Sequence, residues 1–493
     1  MNENLRAKTI NALTWSFLES VVMRGLQFVT GIILARLLFP EQFGLIGMLV
    51  IFMALARTLS ESGFGLALIQ KRDITHTDIC SIFYLNVFVG VILAGLLCLL
   101  APLIAAFFHQ PLLTPLTRVL SLTIVFNSLG LIQDTLLSKD INFKAHTIRS
   151  LIAGITSGAL GISLAVAGFG VWSIAAQYVA DSFLRATILW LLSPWRPALI
   201  FSFRALREMF RFGSRMLCAC MLNQVFENIY FVVIGKLFSA ADLGLFTRAN
   251  TLQSHPSQTL SEVVGRVTFP VFAKTQDDPA GLKKALKKAL TTLVLLNFPL
   301  LIGIAVTARP LVIVVLGQKW GGCIHYLQLL CVVGLIYPLH SINLNILMSL
   351  GRSDLFLRLE IIKKLLIVAN IAVTYRMGIP AIIYGMIVTS LFSYYLNCYY
   401  TRTLIGYRLG EQLKELLPYL ASAMVMGIAV VCTGFLGFHS YPLELLSQVI
   451  VGVIVYVSLC QMFRLPAFLE MMQELRDRIS STRSDKLAGN LQP

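Results

Sequence analysis

Apolar runs of about 20 residues recur from one end of this 493-residue sequence to the other. Each is long enough to cross a bilayer as a helix, because a rise of about 1.5 Å per residue spans a hydrocarbon core of about 30 Å. Fourteen such spans can be read, at 11–37, 42–69, 79–108, 113–137, 147–167, 170–192, 212–236, 242–271, 285–307, 320–349, 355–375, 379–401, 415–436 and 443–463. Only 13% of residues are charged and mean hydropathy is +0.78, against about 25% charged in a soluble protein. The expected fold class is all-α and polytopic, with about 14 transmembrane helices in two pseudo-symmetric lobes around a central cavity.

The net charge of +16 raises the question of nucleic acid, but its distribution answers a different one. Twenty-nine of the forty Lys and Arg fall with the N-terminal segment, in or just beyond the connections after even-numbered spans, and in the tail; six fall in or beside the connections after odd-numbered spans. That asymmetry predicts both termini in the cytoplasm and removes the case for a nucleic-acid partner. The N-terminal MNENLRAKTINALTWS lacks a short apolar core with a small-residue cleavage site, so a cleaved signal peptide is not expected. Nine cysteines sit in or beside apolar segments, and Cys218 and Cys220 form C-x-C rather than a redox or metal pair. They read as small packing residues.

An internal echo organises the chain. LARLLFPEQFGL at 34–45 matches IGKLFSAADLGL at 234–245, pairing Arg36 with Lys236 and Gly44-Leu45 with Gly244-Leu245. Leu59-Ser60-Glu61 then matches Leu260-Ser261-Glu262, and the copies exit at Lys71 and Lys274. Six spans separate the copies, so they share one orientation, as in parallel-repeat transporters. The expected organisation is an N-terminal lobe over 1–192, an amphipathic linker helix over 193–211, a C-terminal lobe over 212–405, two further spans over 406–466 and a tail over 467–493. Arg204, Arg207 and Arg211 follow helical spacing among Phe203, Leu206, Met209 and Phe210, which suits a helix on an anionic membrane surface.

The chemistry concentrates in the eighth span, FTRANTLQSHPSQTLSEVVGRVTFPVF. Arg248, Thr251, His255, Gln258, Glu262 and Arg266 lie 3, 4, 3, 4 and 4 residues apart, the spacing of one helical face. A helix lying flat on the membrane would show such a face, but it would carry Lys283, Lys284, Lys287 and Lys288 to the wrong side. The expectation is a spanning helix whose polar face lines an aqueous cavity, kinked at Pro256. Arg57, Ser60 and Glu61 add charge on the second span, Glu19 and Arg24 on the first, and Asn223, Gln224 and Glu227 on the seventh. Charges inside a membrane cost at least about 2.5–3.5 kcal/mol each and mark partners, cavities or pathways. Arg57–Glu61, Glu262–Arg266 and Asp181–Arg185 are i,i+4 pairs; whether the last is structural or functional stays open. Arg24, Arg57 and Arg248 offer guanidinium forks suited to phosphate, which points to an anionic substrate. Asp277-Asp278 before Pro279 reads as a helix start. There is no nucleotide-binding P-loop, so neither a cofactor nor direct ATP drive is expected, and no connection is long enough for a catalytic domain.

The run LARLLFPEQFGLIGMLVIFMALARTLSESGFGLALIQK, the stretch TFPVFAKTQDD at 268–278 and LGQKWGGCIHYLQLLCVVGL at 316–335 resemble the Wzx-type polysaccharide flippases. Among these they look most like the colanic-acid and lipopolysaccharide-biosynthesis exporters of the multidrug/oligosaccharidyl-lipid/polysaccharide superfamily. The resemblance reaches about residue 460, with His325 where the family often has proline. It implies a non-enzymatic bacterial inner-membrane carrier that flips an undecaprenyl-pyrophosphate-linked oligosaccharide during lipopolysaccharide or exopolysaccharide synthesis. Arg24, Arg57 and Arg248 would hold the pyrophosphate, with Arg266, His255 and Gln258 beside it. Glu19, Glu61, Glu227 and Glu262 would couple a proton or sodium ion. Membrane lipids and the polysaccharide polymerase machinery are the other implied partners. A cation-coupled multidrug antiporter of the same superfamily and a membrane glycan polymerase or ligase are the alternatives.

Overall fold

The computed structural model describes residues 22–61, 74–139, 143–438, 440–474 and 476–477, and the side chains of 61, 138, 143–146, 204–216 and 219 are not described. Glu19, Lys71, the Glu61 side chain and the arginines of the linker helix therefore lie outside what is described.

Among the described residues the chain is helical. Helix α1 covers 22–37. It is followed by α2 (Pro40–Glu61), α3 (His76–Phe108), α4 (Leu113–Lys139), α5 (Phe143–Val166), α6 (Val171–Leu192), α7 (Phe203–Leu237) and α8 (Ala240–Lys274). The remainder is α9 (Pro279–Val306), α10 (Cys323–Ser349), α11 (Ser353–Thr374), α12 (Ile379–Ile405), α13 (Leu409–Gly434) and α14 (Tyr441–Met462). A short helix, Ala308–Val315, and a 3₁₀ turn, Gln318–Trp320, bridge α9 to α10. Nine of the described helices (α2 to α5, α9, α10 and α12 to α14) are long and apolar enough to cross a membrane. The polar helices α7, α8 and α11 are as long, which is why hydropathy alone undercounts them.

Local chemistry explains several boundaries. Thr75 caps α3 while Asp78 reaches back to the Thr75 N–H, at 3.2 and 3.1 Å, satisfying two otherwise orphaned donors. Asp278 caps α9 by accepting from the Ala280 N–H at 3.1 Å, with Pro279 at the first helical position. The acid pair is thus a helix start, as the sequence predicts. Helix α8 runs uninterrupted through Pro256. The basic segment from Phe203 is continuous with the seventh span, forming one 35-residue helix.

The chain divides into two compact units at Thr247–Arg248, inside α8. In the first, α3 packs on α4, α4 and α5 on α6, and α2 on α7. In the second, α9 packs on α10 and α13, α10 on α12, α11 on α12, and α13 on α14. A continuous apolar core runs through the second unit, built from Leu286, Leu290, Leu293, Ile342, Ala423 and Met426 among others.

The repeated turns meet each other within the first unit. A Cβ added at Gly44 would collide with the Ala240 carbonyl, and one added at Gly244 would collide with the Pro40 carbonyl. The contact is reciprocal, copy against copy, and only glycine permits backbones this close. Each turn is tied the same way: the Phe39 N–H donates to Gln42 Oε1 at 3.2 Å, and the Ser239 N–H to Asp242 Oδ2 at 3.4 Å. The residue equivalent to Asp242 is therefore Gln42, the pairing that the alignment of 34–45 with 234–245 gives.

Candidate functional site

Each unit carries its own set of the charged residues singled out in the sequence. In the first, Arg24 lies partly exposed on α1, next to Met23, which packs against Gly154 of α5. Arg57 on α2 and Glu227 on α7 are both exposed. These helices are antiparallel neighbours: a Cβ on Gly235 would lie 2.9 Å from the Met48 side chain. Counting inward from that contact at about 1.5 Å per residue brings Arg57 and Glu227 to the same level, about 12–14 Å along. Arg57 and Glu227 are therefore neighbours in depth on packed helices.

The second unit holds the eighth-span stripe. Its helical state puts Arg248, Thr251, His255, Gln258, Glu262 and Arg266 on one face. Gln258, Glu262 and Arg266 are exposed, and Arg248 and His255 are partly exposed. Glu262 and Arg266 approach to 4.0 Å with their side chains about half exposed (48% and 52%), so this i,i+4 pair is a long one. Leu252 is buried, and Leu260 and Val264 pack against the core.

That inner face is more polar than the apolar residues suggest. Gln253, Ser257 and Ser261 are also buried there. Ser257 donates to the Gly334 carbonyl of α10 at 3.4 Å, and a Cβ at Gly334 would collide with Gln253. A Cβ at Gly265 would sit 3.5 Å from Asn345. Residues 253–265 of α8 therefore run beside residues 334–345 of α10 in the same direction. Since α10 is one of the apolar spanning helices, this is the arrangement of a spanning α8, not of a helix lying flat.

The Asp181–Arg185 pair forms, at 2.7 Å, and belongs to a network the sequence does not reveal. Arg185 also donates to Ser150 at 3.4 Å. Arg149, its neighbour on α5, is buried and paired to Asp134 of α4. The network ties α4, α5 and α6 together. Arg149 reads in the sequence as a charge of the preceding connection because it stands one turn from it. Lys363 and Lys364 read the same way, yet both lie about three turns inside α11. Among the described residues, no group of His, Cys, Asp and Glu could hold a metal ion.

A third polar cluster sits in the second unit. Gln412 is buried and accepts from the Tyr394 hydroxyl at 3.0 Å, from Asn343 Nδ2 at 3.3 Å and from Cys398 at 3.4 Å. Thr401 donates to Asn343 Oδ1 at 3.2 Å. At the ends of these helices, Lys283, Lys287 and Lys288 of α9 pair with Glu411, Glu415 and Glu470, at 2.5, 2.6 and 2.7 Å. Beside them the Tyr407 hydroxyl donates to Glu415; burial and that carboxylate push the phenol well above its ordinary range.

Comparison with known proteins matches this architecture. Residues 33–325 fit the family described as polysaccharide biosynthesis protein. The lipopolysaccharide biosynthesis protein WzxC of Escherichia coli K12 is 30% identical over 381 residues, 76% of this chain and 77% of that protein. The teichuronic acid biosynthesis protein TuaB of Bacillus subtilis is 26% identical over 71% of this chain and 73% of its own length. The succinoglycan biosynthesis transport protein ExoT of Rhizobium meliloti is 28% identical over 65% of each chain. In fold, the lipid II flippase MurJ in an inward closed conformation superposes with a TM-score of 0.77 at 14% identity, covering 92% of this chain and 98% of that one. An inward-facing multidrug MATE transporter superposes at 0.58 and 16% identity, over 78% and 94%. With a family match over more than half its length and helices built to cross a bilayer, the chain is a multi-pass membrane protein that belongs to the polysaccharide biosynthesis protein family.

Proposed function

We propose that this protein carries an undecaprenyl-pyrophosphate-linked oligosaccharide repeat unit from the cytoplasmic to the periplasmic leaflet of the bacterial inner membrane, by alternating access. The observation that carries the reading is α8, a membrane helix in a polysaccharide biosynthesis protein with an exposed polar face from Arg248 to Arg266. Such a face is worth its insertion cost only where it meets water or a polar ligand.

The division of labour follows from chemistry. Arg24, Arg57 and Arg248 grip the pyrophosphate, since a guanidinium stays charged and matches phosphate oxygens two at a time. Arg266, His255 and Gln258 form the adjoining polar wall for the sugars, and the polyprenyl tail stays in lipid. Glu19, Glu61, Glu227 and Glu262 are the acids through which a proton or sodium gradient biases the cycle. Two lobes, spans 1–6 and 7–12, rock about the site, both termini stay in the cytoplasm, and the product is handed to the polymerase machinery.

The alternative is a cation-coupled multidrug antiporter, since a multidrug resistance MATE transporter shares the fold. Its cationic drugs would be repelled by three arginines, so the basic set favours the anionic lipid-linked substrate. The test uses reconstituted vesicles and a labelled undecaprenyl-pyrophosphate disaccharide. Wild-type protein should expose the label to an outer-leaflet reagent, and Arg24→Ala, Arg57→Ala and Arg248→Ala should not. Full movement by all three variants would overturn the assignment.

A further inference from the structure

Halfway through the membrane, the second unit holds a half-buried group of titratable side chains that is not among the residues assigned above. Lys363 Nζ of α11 lies 3.3 Å from Glu360 Oε1, with the two side chains only 12% and 23% exposed. Helix α11 packs against both α10 and α12. Asn397 of α12 donates through Nδ2 to the His340 carbonyl at 2.9 Å, placing these positions of α10 and α12 at one level. The depth follows from counting. Measured from Ser349, Ser353 and Ile405, the helix ends on the same side, His340, Lys363 and Asn397 stand about 12–15 Å in. That is half of a core about 30 Å thick.

The cluster is incomplete as it stands. His340 Nε2 and Asn397 Oδ1 are buried without a hydrogen-bond partner among the described residues. The Asn397 orientation is fixed by its bond to the His340 carbonyl, so the orphaned atom is an acceptor. An imidazole carrying its proton on Nδ1 presents a second acceptor at Nε2. Buried acceptors without donors are costly and need an explanation. An ammonium has three donors, and the one available here is held by Glu360.

The acid side of the cluster is singular. Neither α10 nor α12 contains an Asp or Glu, and α11 has only Asp354 and Glu360. Asp354 is spent on Arg352 at the exposed end of α11, at 2.9 Å. The other titratable groups brought by these helices are basic, phenolic or thiol, with Cys398 next to Asn397. Lys364 and Arg358 share α11, and Arg402 stands in the last turn of α12. Tyr337 stacks edge-on to His340, and Tyr394 is engaged with Gln412.

We infer that Glu360, Lys363 and His340 form an intramembrane proton site that couples transport to a proton gradient. With Glu360 ionised, the Lys363 ammonium is paired to the carboxylate and the two acceptors stay empty. A proton arriving from water on one side adds to the Glu360 carboxylate, giving the neutral acid. The ammonium, released but still charged, turns to His340 Nε2 and Asn397 Oδ1. Loss of that same proton to the other side regenerates the carboxylate and the ion pair. The site thus has two hydrogen-bonded states that differ by one proton and in which side chains tie α11 to α10 and α12. This is the bistable element that a coupled carrier requires.

The inference rests on the transport reading, and the experiment separates the two. Full-length protein is reconstituted in phosphatidylethanolamine–phosphatidylglycerol vesicles with pyranine inside and the labelled undecaprenyl-pyrophosphate disaccharide as probe. In the wild type, an imposed pH gradient should speed probe movement, and probe movement should shift pyranine fluorescence. The variant Glu360→Gln should lose that acceleration by about tenfold, the scale of a typical coupling between sites, while still exchanging probe at the gradient-free rate. Glu360→Gln leaves a buried ammonium without its counter-charge, so the double variant Glu360→Gln/Lys363→Met is measured beside it; this pair is uncharged, and the same loss is expected. Infrared difference spectra across a pH titration give a transport-independent readout: a protonated-carboxyl band in the wild type that is missing in both variants. If the wild type moves no probe, the transport reading fails while the infrared band still tests the site. If probe moves without proton movement, or if both variants keep gradient acceleration and the carboxyl band, the proton site is wrong.

Discussion

A single arginine inside a membrane helix is costly and is retained where something anionic meets it. For Arg24, Arg57 and Arg248 the account expects each Ala substitution to remove about 2 kcal/mol of charge-assisted hydrogen bonding, roughly thirtyfold in substrate affinity. Lys replacements should recover part of it, since they keep the charge but lose the bidentate fork. Equilibrium binding of the labelled lipid-linked disaccharide measures both; equal affinity for Ala and Lys variants would remove the guanidinium argument. Such residues were readable when both partners of a pair sat on one helix. The Asp181–Arg185 bond and the loose Glu262–Arg266 pair could be found by counting four residues. Arg149 could not, because it pairs across helices and stands near a connection; Lys363 has its partner on the same helix and was masked by the basic residues from Arg352 onward, which read together as one connection. A basic residue a turn or more inside an expected span, such as Lys363 eight residues past the start of 355–375, was the signal available.

At the scale of elements, the repeat at Gly44 and Gly244 marks a place where two helices start backbone to backbone. Replacing either glycine by Ala inserts a methyl into a carbonyl, and overpacking of this kind costs about 1–3 kcal/mol. Thermal unfolding in detergent should show the loss at both positions, with the double variant losing less than the sum because the two sites share one contact. An additive result would mean the copies do not lean on each other. The echo was legible in the sequence, but the job of Gln42 and Asp242 was not: each accepts from a backbone N–H three residues earlier, which only the turn geometry reveals. Buried Gln412 is a second element-scale test. Gln412→Leu strips partners from Asn343 and Tyr394 at once, and unsatisfied buried groups cost about 1–3 kcal/mol. If Gln412→Leu melts at the wild-type temperature, the network is not holding α10, α12 and α13 together.

For the whole molecule, span positions were legible because an apolar run of membrane length has few alternatives, and charge asymmetry then orients the chain. The polar helix α8 escapes that logic and is identified by its 3.6-residue polar period. The predicted orientation can be checked with single-cysteine variants: a cysteine at Lys236 should label from the periplasm and one at Lys284 should not. Opposite labelling would invert the topology. The central claim is that the protein changes the leaflet of its substrate and not its chemistry. Reconstituted vesicles carrying labelled undecaprenyl-pyrophosphate disaccharide, followed by outer-leaflet reactivity and mass spectrometry together, test it directly. The account predicts a label that becomes accessible at unchanged mass, at a rate abolished by Arg57→Ala. A change in mass, or accessibility no faster than in protein-free vesicles, would contradict it.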